Sequence, residues 1–103
     1  MPARDANSMI REVQTWVLDR RDLLAERGFS ITVGDVVEGV DNPSINIDFD
    51  SDNTMGRITV WSTGDCNMDV IEIDSEQHLM ARHVYLEKDV KLDDVFREFL
   101  ETM

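Results

Sequence analysis

The chain has 103 residues, of which 42% are apolar and 31% charged, and its formal net charge is −12 at pH 7. This length and balance fit one globular domain over residues 1–103 rather than a disordered chain. No apolar run approaches the roughly 20 residues of a membrane helix, and residues 1–5 contain no apolar signal core, so we expect a cytoplasmic protein without membrane contact. Nucleic acid is a poor partner for such a surface, because phosphates require lysine and arginine.

The negative charge is concentrated in the middle of the chain. Residues 35–76 contain 11 acidic residues and one basic residue, Arg57, whereas residues 1–34 carry no net charge and residues 77–103 add −2. Because this stretch also has the pattern of strands, we expect several carboxylates to share one sheet face and attract a basic partner. A solvated, solubilising surface or adaptation to high salt would also account for the charge.

The first predicted element is a helix over residues 8–27. Asn7 or Ser8 can serve as its N-cap, and Gly28 supplies the left-handed residue that ends it. Its apolar stripe follows the helical repeat. The stripe contains Ile10, Val13, Val17 and Leu24, widened by Trp16, Leu18 and Leu23.

Alternation of apolar and polar residues then predicts a series of strands joined by turns. The strands span about 29–37, 44–50, 55–62, 66–73 and 78–86, the last with no clear facing, and residues 38–43 form a loop. The alternation changes phase after Val70. We therefore predict a β-bulge near Val70 and Ile71 that returns Ile71 and Ile73 to the core.

A closing helix is predicted after Asp89, which can cap it, with Asp93 and Asp94 near its positive end. Its apolar stripe contains Leu92, Val95, Phe96, Phe99 and Leu100. Two amphipathic helices need a sheet face that buries their stripes. The predicted fold class is therefore α+β: a helix, a four- or five-stranded antiparallel meander sheet and a helix, with both helices on one sheet face.

The strand phases also predict which residues stand on the other, water-exposed face of the sheet. Candidates for binding a partner are Trp61, Arg57, Asp48, Asp50 and Asp69, accompanied by Asn46, Thr59 and Asn67. A tryptophan among carboxylates on an exposed face is a candidate binding hot spot. The alternatives are that Trp61 faces the core through a shifted register, or packs over the Arg57 stem.

Candidate metal sites are weak. The run Asp48–Asn53 resembles the start of a calcium loop, but Asn53 stands at the glycine position and Thr59 at the closing glutamate position. His78 and His83 are an odd number of residues apart, so on one strand they should face opposite ways and share no metal. One of the two is expected to be a core or interface histidine.

Catalytic signals are equally weak. The lone Cys66 excludes a disulfide framework and has no spacing that supports a Cys-His-Asn site, so we expect it to be a small core residue. No phosphate-binding glycine loop, serine elbow or zinc-protease motif is present. We therefore expect no enzymatic activity, no cofactor and no metal site.

A series of short motifs along the chain resembles the TriTu family of immunity proteins. These motifs are Gly28–Ser30, Asn42–Ser44, Gly56–Trp61, Gly64 with Met68–Val70, His83–Leu86 and the closing helix Leu92–Leu100. The resemblance covers most of residues 16–103, whereas residues 1–14 and 34–40 match no feature of the family.

The resemblance implies a small bacterial protein made beside an antibacterial toxin. The toxin would be an ADP-ribosyltransferase that is delivered by type VI secretion and modifies elongation factor Tu. The partner would then be a toxin with a basic surface or cleft, and the chain would occlude the active site of that toxin. Two other functions remain open from the surface alone: an acidic module that inhibits another basic toxin such as a nuclease, and a calcium- or substrate-binding accessory subunit.

Overall fold

The computed structural model describes residues 8–36 and 41–103 of the chain. It consists of a helix, a five-stranded antiparallel sheet and a second helix, which confirms the predicted α+β class. The strands lie in chain order, each hydrogen-bonded to the next, so the sheet is an open meander. The elements are α1 (Ser8–Glu26), β1 (Ser30–Val33), β2 (Ser44–Asp50), β3 (Thr54–Trp61), β4 (Asp65–Glu72), β5 (His78–Tyr85) and α2 (Leu92–Thr102).

Helix α1 buries one stripe against the sheet. The buried residues are Met9, Ile10, Val13, Trp16, Val17 and Leu24. Leu18 and Leu23 are 50% and 59% exposed, so the prediction that they widen the stripe is wrong. Leu23 lines the open depression between α1 and α2, where most of its side chain stays in contact with solvent.

The end of α1 follows the prediction. Gly28 has φ +94°, a left-handed conformation that glycine adopts without strain. Its N–H donates to the Ala25 carbonyl, and the Phe29 N–H donates to the Leu24 carbonyl, which is the Schellman arrangement. Asn7, one of the two predicted N-caps, lies outside the described residues.

Strand β1 is shorter than the predicted span of 29–37, and Val37 lies outside the described residues, as do residues 38–40 of the predicted loop. The Gly34 N–H still donates to the Asn46 carbonyl at 2.9 Å, but the pairing ends there. A Cβ on Gly34 would lie 2.9 Å from the same oxygen, so this close approach requires glycine. Val36 then packs partly against the core as the chain leaves the sheet.

The predicted irregularity near Val70 exists, but the extra residue is in β5. Val70 pairs with Met80 and Ile71 pairs with His78, so Leu79 is the additional residue. The bulge therefore leaves the alternation of β4 unbroken.

Ile71 consequently does not return to the core. It lies opposite Met55 on the side away from the helices and is only partly buried, while Ile73 is 40% exposed. The prediction for these two isoleucines is wrong, because a bulge in β5 changes the facing of β5 residues and not of β4 residues.

Helix α2 starts at Leu92 after Lys91, and no side chain caps it. Asp89 is therefore not the N-cap: it lies in a turn closed by a hydrogen bond from the Val90 N–H to the Glu87 carbonyl. Asp93 and Asp94 do lie in the first turn, where the helix dipole favours negative charge. Neither described helix is both long and apolar enough to cross a bilayer.

The core lies between the helices and one sheet face. Phe49 meets Phe99 edge-on at a centroid distance of 5.0 Å, and a tilted pair of the same distance joins Trp16 and Phe96. Gly56 makes the first pair possible, since a Cβ there would lie 2.7 Å from Phe99 Cζ. Cys66 is fully buried beneath the helices, as predicted, and burial raises the pKa of its thiol to about 12.

Candidate functional site

The side of the sheet away from the helices, called the open face below, is formed by the outward-pointing residues of β2 to β5. Antiparallel pairing aligns these residues in rows across the strands. The rows are Asp50–Met55–Ile71, Asp48–Arg57–Asp69–Ala81, Asn46–Thr59–Asn67–His83, and the end row of Ser44–Trp61 and Asp65–Tyr85.

The charged row centres on Arg57. Its Nε donates to Asp48 Oδ1 at 2.7 Å, and this hydrogen bond and the attached charge raise the pKa of Arg57. Asp69 flanks Arg57 from β4 and its charge helps to raise the pKa of Arg57, but its carboxylate accepts no hydrogen bond from a residue that the structure describes. Because the Arg57 side chain is 54% exposed, the pair adds little to stability, and its main effect is to fix both side chains in place.

The polar row is joined by side-chain hydrogen bonds. Thr59 Oγ1 donates to Asn46 Oδ1 at 2.8 Å, and the His83 ring contacts Asn67 through Nδ1 and Asp65 through Nε2, the latter at 3.2 Å. These contacts form two pairs, one across β2 and β3 and one across β4 and β5. A partner meeting this row would face polar groups that are already ordered.

The two histidines do not take the predicted positions. His83 lies opposite Asn67 and His78 opposite Ile71, so both stand with open-face residues and both are exposed. The expected opposite facing fails because Leu79 interrupts the alternation between them. Neither is a core histidine, and His83 instead helps to order the polar row.

Asp65 carries a shifted pKa at the edge of this row. The Thr63 hydroxyl donates to its Oδ2 at 2.7 Å and is the main reason why the pKa of Asp65 is lowered, with a smaller contribution from His83. A lowered pKa means that the ionised carboxylate is the favoured form here. The open face therefore keeps this negative charge under ordinary conditions.

Aromatic residues stand at the end row. Trp61 alternates with the buried Val60, lies on the side of Arg57 and Thr59, and is partly buried. Tyr85 on β5 is 62% exposed and lies opposite Asp65. The sequence did not point to Tyr85, because the facing of its strand depends on the bulge.

A shallow groove of about 170 Å³ lies between β3 and β4 on the open face. Met55 and Ile71 form its apolar walls beside the Gly56 backbone, and Arg57 with the two flanking carboxylates of Asp48 and Asp69 forms one end. Met55 is 46% exposed. Neither Met55 nor Ile71 was a candidate from sequence, and a β-bulge was expected to return Ile71 to the core.

The structure brings four of the five predicted binding residues together. Asp48, Arg57 and Asp69 share a row, and Asp50 stands in the next row beside Met55. Trp61 is four residues along β3 from Arg57, about 13 Å at the rise of a strand. The open face thus has a charged end and an aromatic end, separated by the polar row.

Metal-binding geometry is not found in the part of the chain that the structure describes. No group of three or more His, Cys, Asp or Glu side chains there could hold an ion. The run that resembles a calcium loop forms the end of β2 and a tight turn, in which the Ser51 and Thr54 hydroxyls meet at 2.6 Å. Asp52 and Asn53 point into solvent at this turn.

On the opposite side of the molecule, several charged side chains of the helices are paired with one another. A depression of about 300 Å³ lies between the helices, where Trp16 Nε1 and Arg20 both donate to Asp93 Oδ1 at 2.7 Å. Arg97 at the same depression pairs with Asp94. Since Arg20, Asp93 and Arg97 are already paired within the molecule, these side chains offer less to a charged partner than the carboxylates of the open face do.

Comparison with known protein families gives a match over nearly the whole chain. The model of the immunity protein TriTu matches residues 11–102. The chain belongs to the TriTu family of immunity proteins. In a comparison with curated proteins, no sequence matched.

Family membership confirms the resemblance found in the sequence motifs. An immunity protein neutralises a toxin, so the family implies a toxin as the partner. Immunity proteins are generally non-enzymatic, which agrees with a surface of ordered polar and charged groups. The open face is where such groups stand uncovered by either helix.

Proposed function

We propose that the chain is a stoichiometric inhibitor of an ADP-ribosyltransferase toxin that is delivered by type VI secretion. The chain acts in the cytoplasm, where it binds the toxin through the open face and occludes the active-site cleft. Trp61, Arg57, Asp48, Asp50 and Asp69 form the binding surface. No cofactor takes part, and the chain itself performs no reaction.

The observation that carries this proposal is the uncovered, pre-ordered open face. Both helices pack on the other side, and cross-strand hydrogen bonds fix several outward side chains, in the pairs Asp48–Arg57, Asn46–Thr59 and Asn67–His83. A surface ordered before binding loses less conformational entropy when it meets a partner. Four aspartates against one arginine give this surface an excess of negative charge.

The charge of the open face suits the proposed toxin. A cleft that takes the pyrophosphate of NAD commonly carries arginine or lysine, because these residues pair with phosphate oxygens. Carboxylates on a rigid face would occupy the same groups and exclude the dinucleotide. Electrostatic steering would also speed capture of a toxin that endangers the cell that makes it.

The test uses the toxin encoded beside this chain and its modification of elongation factor Tu. As the chain is added in increasing amounts, the rate of ADP-ribose transfer from labelled NAD should fall linearly. It should reach zero at one molecule of the chain per molecule of toxin. The double variant Asp50→Lys/Asp69→Lys should need a large excess to inhibit. The matched control Asp22→Lys/Glu26→Lys makes the same change in net charge on exposed positions of α1 and should inhibit like the wild type.

Three results would contradict the proposal. The first is a toxin that stays active when the chain is present in equimolar amount. The second is full inhibition by the open-face variant Asp50→Lys/Asp69→Lys together with loss of inhibition by the α1 variant Asp22→Lys/Glu26→Lys. Inhibition of a nuclease toxin with no effect on ADP-ribose transfer would replace the proposed toxin with the other basic toxin.

A further inference from the structure

We infer that the groove between Met55 and Ile71 is a socket for one arginine side chain of the toxin, whose guanidinium pairs with Asp69. This inference rests on the proposed function and names the group that the open face recognises. It assigns a binding role to Met55 and Ile71, two side chains that the charge pattern does not reveal.

The first support is an apolar groove in a solvent-facing surface. Met55 and Ile71 lie directly opposite each other on β3 and β4, and both point away from the core. Beside them the Gly56 backbone forms part of the lining, and this residue faces the core, where a Cβ would meet Phe99 and Met103. The resulting space of about 170 Å³ suits one side chain rather than a chain segment.

The second support is the charge at the end of the groove. Arg57 is already bonded to Asp48, with Nε to Oδ1 at 2.7 Å and a guanidinium nitrogen to Oδ2 at 3.4 Å. The Asp69 carboxylate, on the other side of Arg57, accepts no hydrogen bond from a residue that the structure describes, although its charge helps to raise the pKa of Arg57. With two carboxylates against one guanidinium, the groove lining keeps an excess of negative charge, which a single cation would balance.

Arginine fits both features at once. Its aliphatic stem can lie against apolar side chains while its charged end reaches a carboxylate. An apolar side chain would fill the groove but leave Asp69 dehydrated and unpaired, which is costly. A lysine ammonium is compact and more strongly hydrated, whereas the flat guanidinium pairs with a carboxylate in two parallel hydrogen bonds.

The test measures the affinity of groove variants for a catalytically inactive form of the neighbouring toxin. Asp69→Asn should raise Kd by about 10- to 100-fold, mainly through faster dissociation, as for a desolvated charge pair. Met55→Lys places a cation in the groove and should raise Kd by at least as much. Leu18→Lys, which adds the same charge at a 50% exposed apolar position of α1 away from the open face, should have less than one tenth of that effect.

A double-mutant cycle then identifies the arginine. Each arginine of the toxin is replaced by alanine, and for one of them the loss of affinity should be strongly non-additive with Asp69→Asn. Replacing that same arginine by lysine should restore only part of the affinity. Far-UV circular dichroism of each variant checks that the fold is kept, which the 46% exposure of Met55 favours.

The possible results of these experiments test the arginine socket and the proposed function separately. If the wild type binds and inhibits the toxin, but Asp69→Asn and Met55→Lys keep Kd within threefold, the socket is wrong and the proposed function stands. Additive losses for every toxin arginine would also overturn the socket. If the wild type does not bind the toxin at all, the proposed function is wrong and the socket with it.

Discussion

At the scale of single residues, the two tryptophans show how position decides role. Trp16 is 8% exposed, stacks near Phe96 and donates its Nε1 hydrogen to Asp93. Trp61 stands on the open face, outside the buried cluster beneath the helices. The same side chain is therefore expected to stabilise the fold at one position and to bind the partner at the other.

Replacing each tryptophan by alanine should separate these roles. Trp61→Ala is expected to weaken toxin binding by about 2–4 kcal/mol, roughly 30- to 1,000-fold in Kd, with a small change in folding stability. Trp16→Ala should instead lower the free energy of unfolding by about 3–5 kcal/mol. Urea unfolding and calorimetric titration measure the two quantities, and severe unfolding of Trp61→Ala with normal affinity would make Trp61 a structural residue.

Neighbouring residues of α2 give a second comparison at this scale. Phe99 is fully buried against Phe49, whereas Leu100 is only partly buried beside the interhelical depression. Phe99→Ala should cost about 3–5 kcal/mol of folding stability because it empties the centre of the core. Leu100→Ala should cost clearly less in the same urea titration, and equal losses would show that the end of α2 is buried more deeply than described.

At the scale of secondary-structure elements, α1 and α2 are joined by one carboxylate. Asp93 accepts hydrogen bonds from Trp16 Nε1 and Arg20, and the Arg20 guanidinium also lies 4.5 Å above the Trp16 ring. The Trp16 hydrogen bond is the main reason why the pKa of Asp93 is lowered, and Arg20 adds to the effect. The charge of Asp93 therefore stabilises the packing of the two helices.

This contact predicts a pH dependence. Since the pKa of Asp93 is lower in the folded chain, its contribution is fully present above its unfolded value of about 3.9 and disappears as the pH falls through the folded value. Asp93→Asn should therefore lower the urea midpoint at pH 7, and the difference from wild type should shrink towards pH 2.

The neighbouring Asp94 provides the matched control. It lies in the same first turn of α2, near the same positive end of the helix dipole, but its one ion pair among the described residues is with the exposed Arg97. Asp94→Asn should therefore change the midpoint at pH 7 less than Asp93→Asn does. A difference between wild type and Asp93→Asn that is constant across the pH range would contradict the role assigned to the Asp93 charge.

At the scale of the whole molecule, the negative charge is unevenly distributed along the chain. Residues 1–34, which include α1, carry no net charge, whereas residues 35–76, which supply β2 to β4, carry nearly all of the excess. A concentration of like charge on neighbouring strands attracts a basic partner before contact. This attraction acts on the rate of association and weakens as salt screens the charges.

The association rate with the toxin should accordingly fall as salt is raised. Stopped-flow mixing of wild type should show a steep decrease between low and high ionic strength. Replacing Asp48, Asp50 and Asp69 together by asparagine should slow association and flatten this dependence. An association rate that does not change with salt would rule out steering by the open face.

Local patterns in the sequence determined much of this architecture. The alternation in β2 and β3 placed Asp48, Asp50, Arg57 and Trp61 on one face correctly, because the facing of a strand residue follows from its position in a two-residue repeat. Gly28 marked the end of α1 for a similarly local reason, since few other residues adopt its φ of +94° without strain. The concentration of charge in residues 35–76 also followed directly from the sequence.

Tertiary structure alone decided the features that depend on register and coverage. Leu79 has no sequence signal that marks it as the extra residue of β5, yet it places His78 with the open face and leaves Ile71 there instead of in the core. The exposure of Leu18 and Leu23 depends on which flank of α1 the sheet covers. Such outcomes follow from how separate segments pair and pack, and a pattern within one segment contains no information about its neighbour across the sheet.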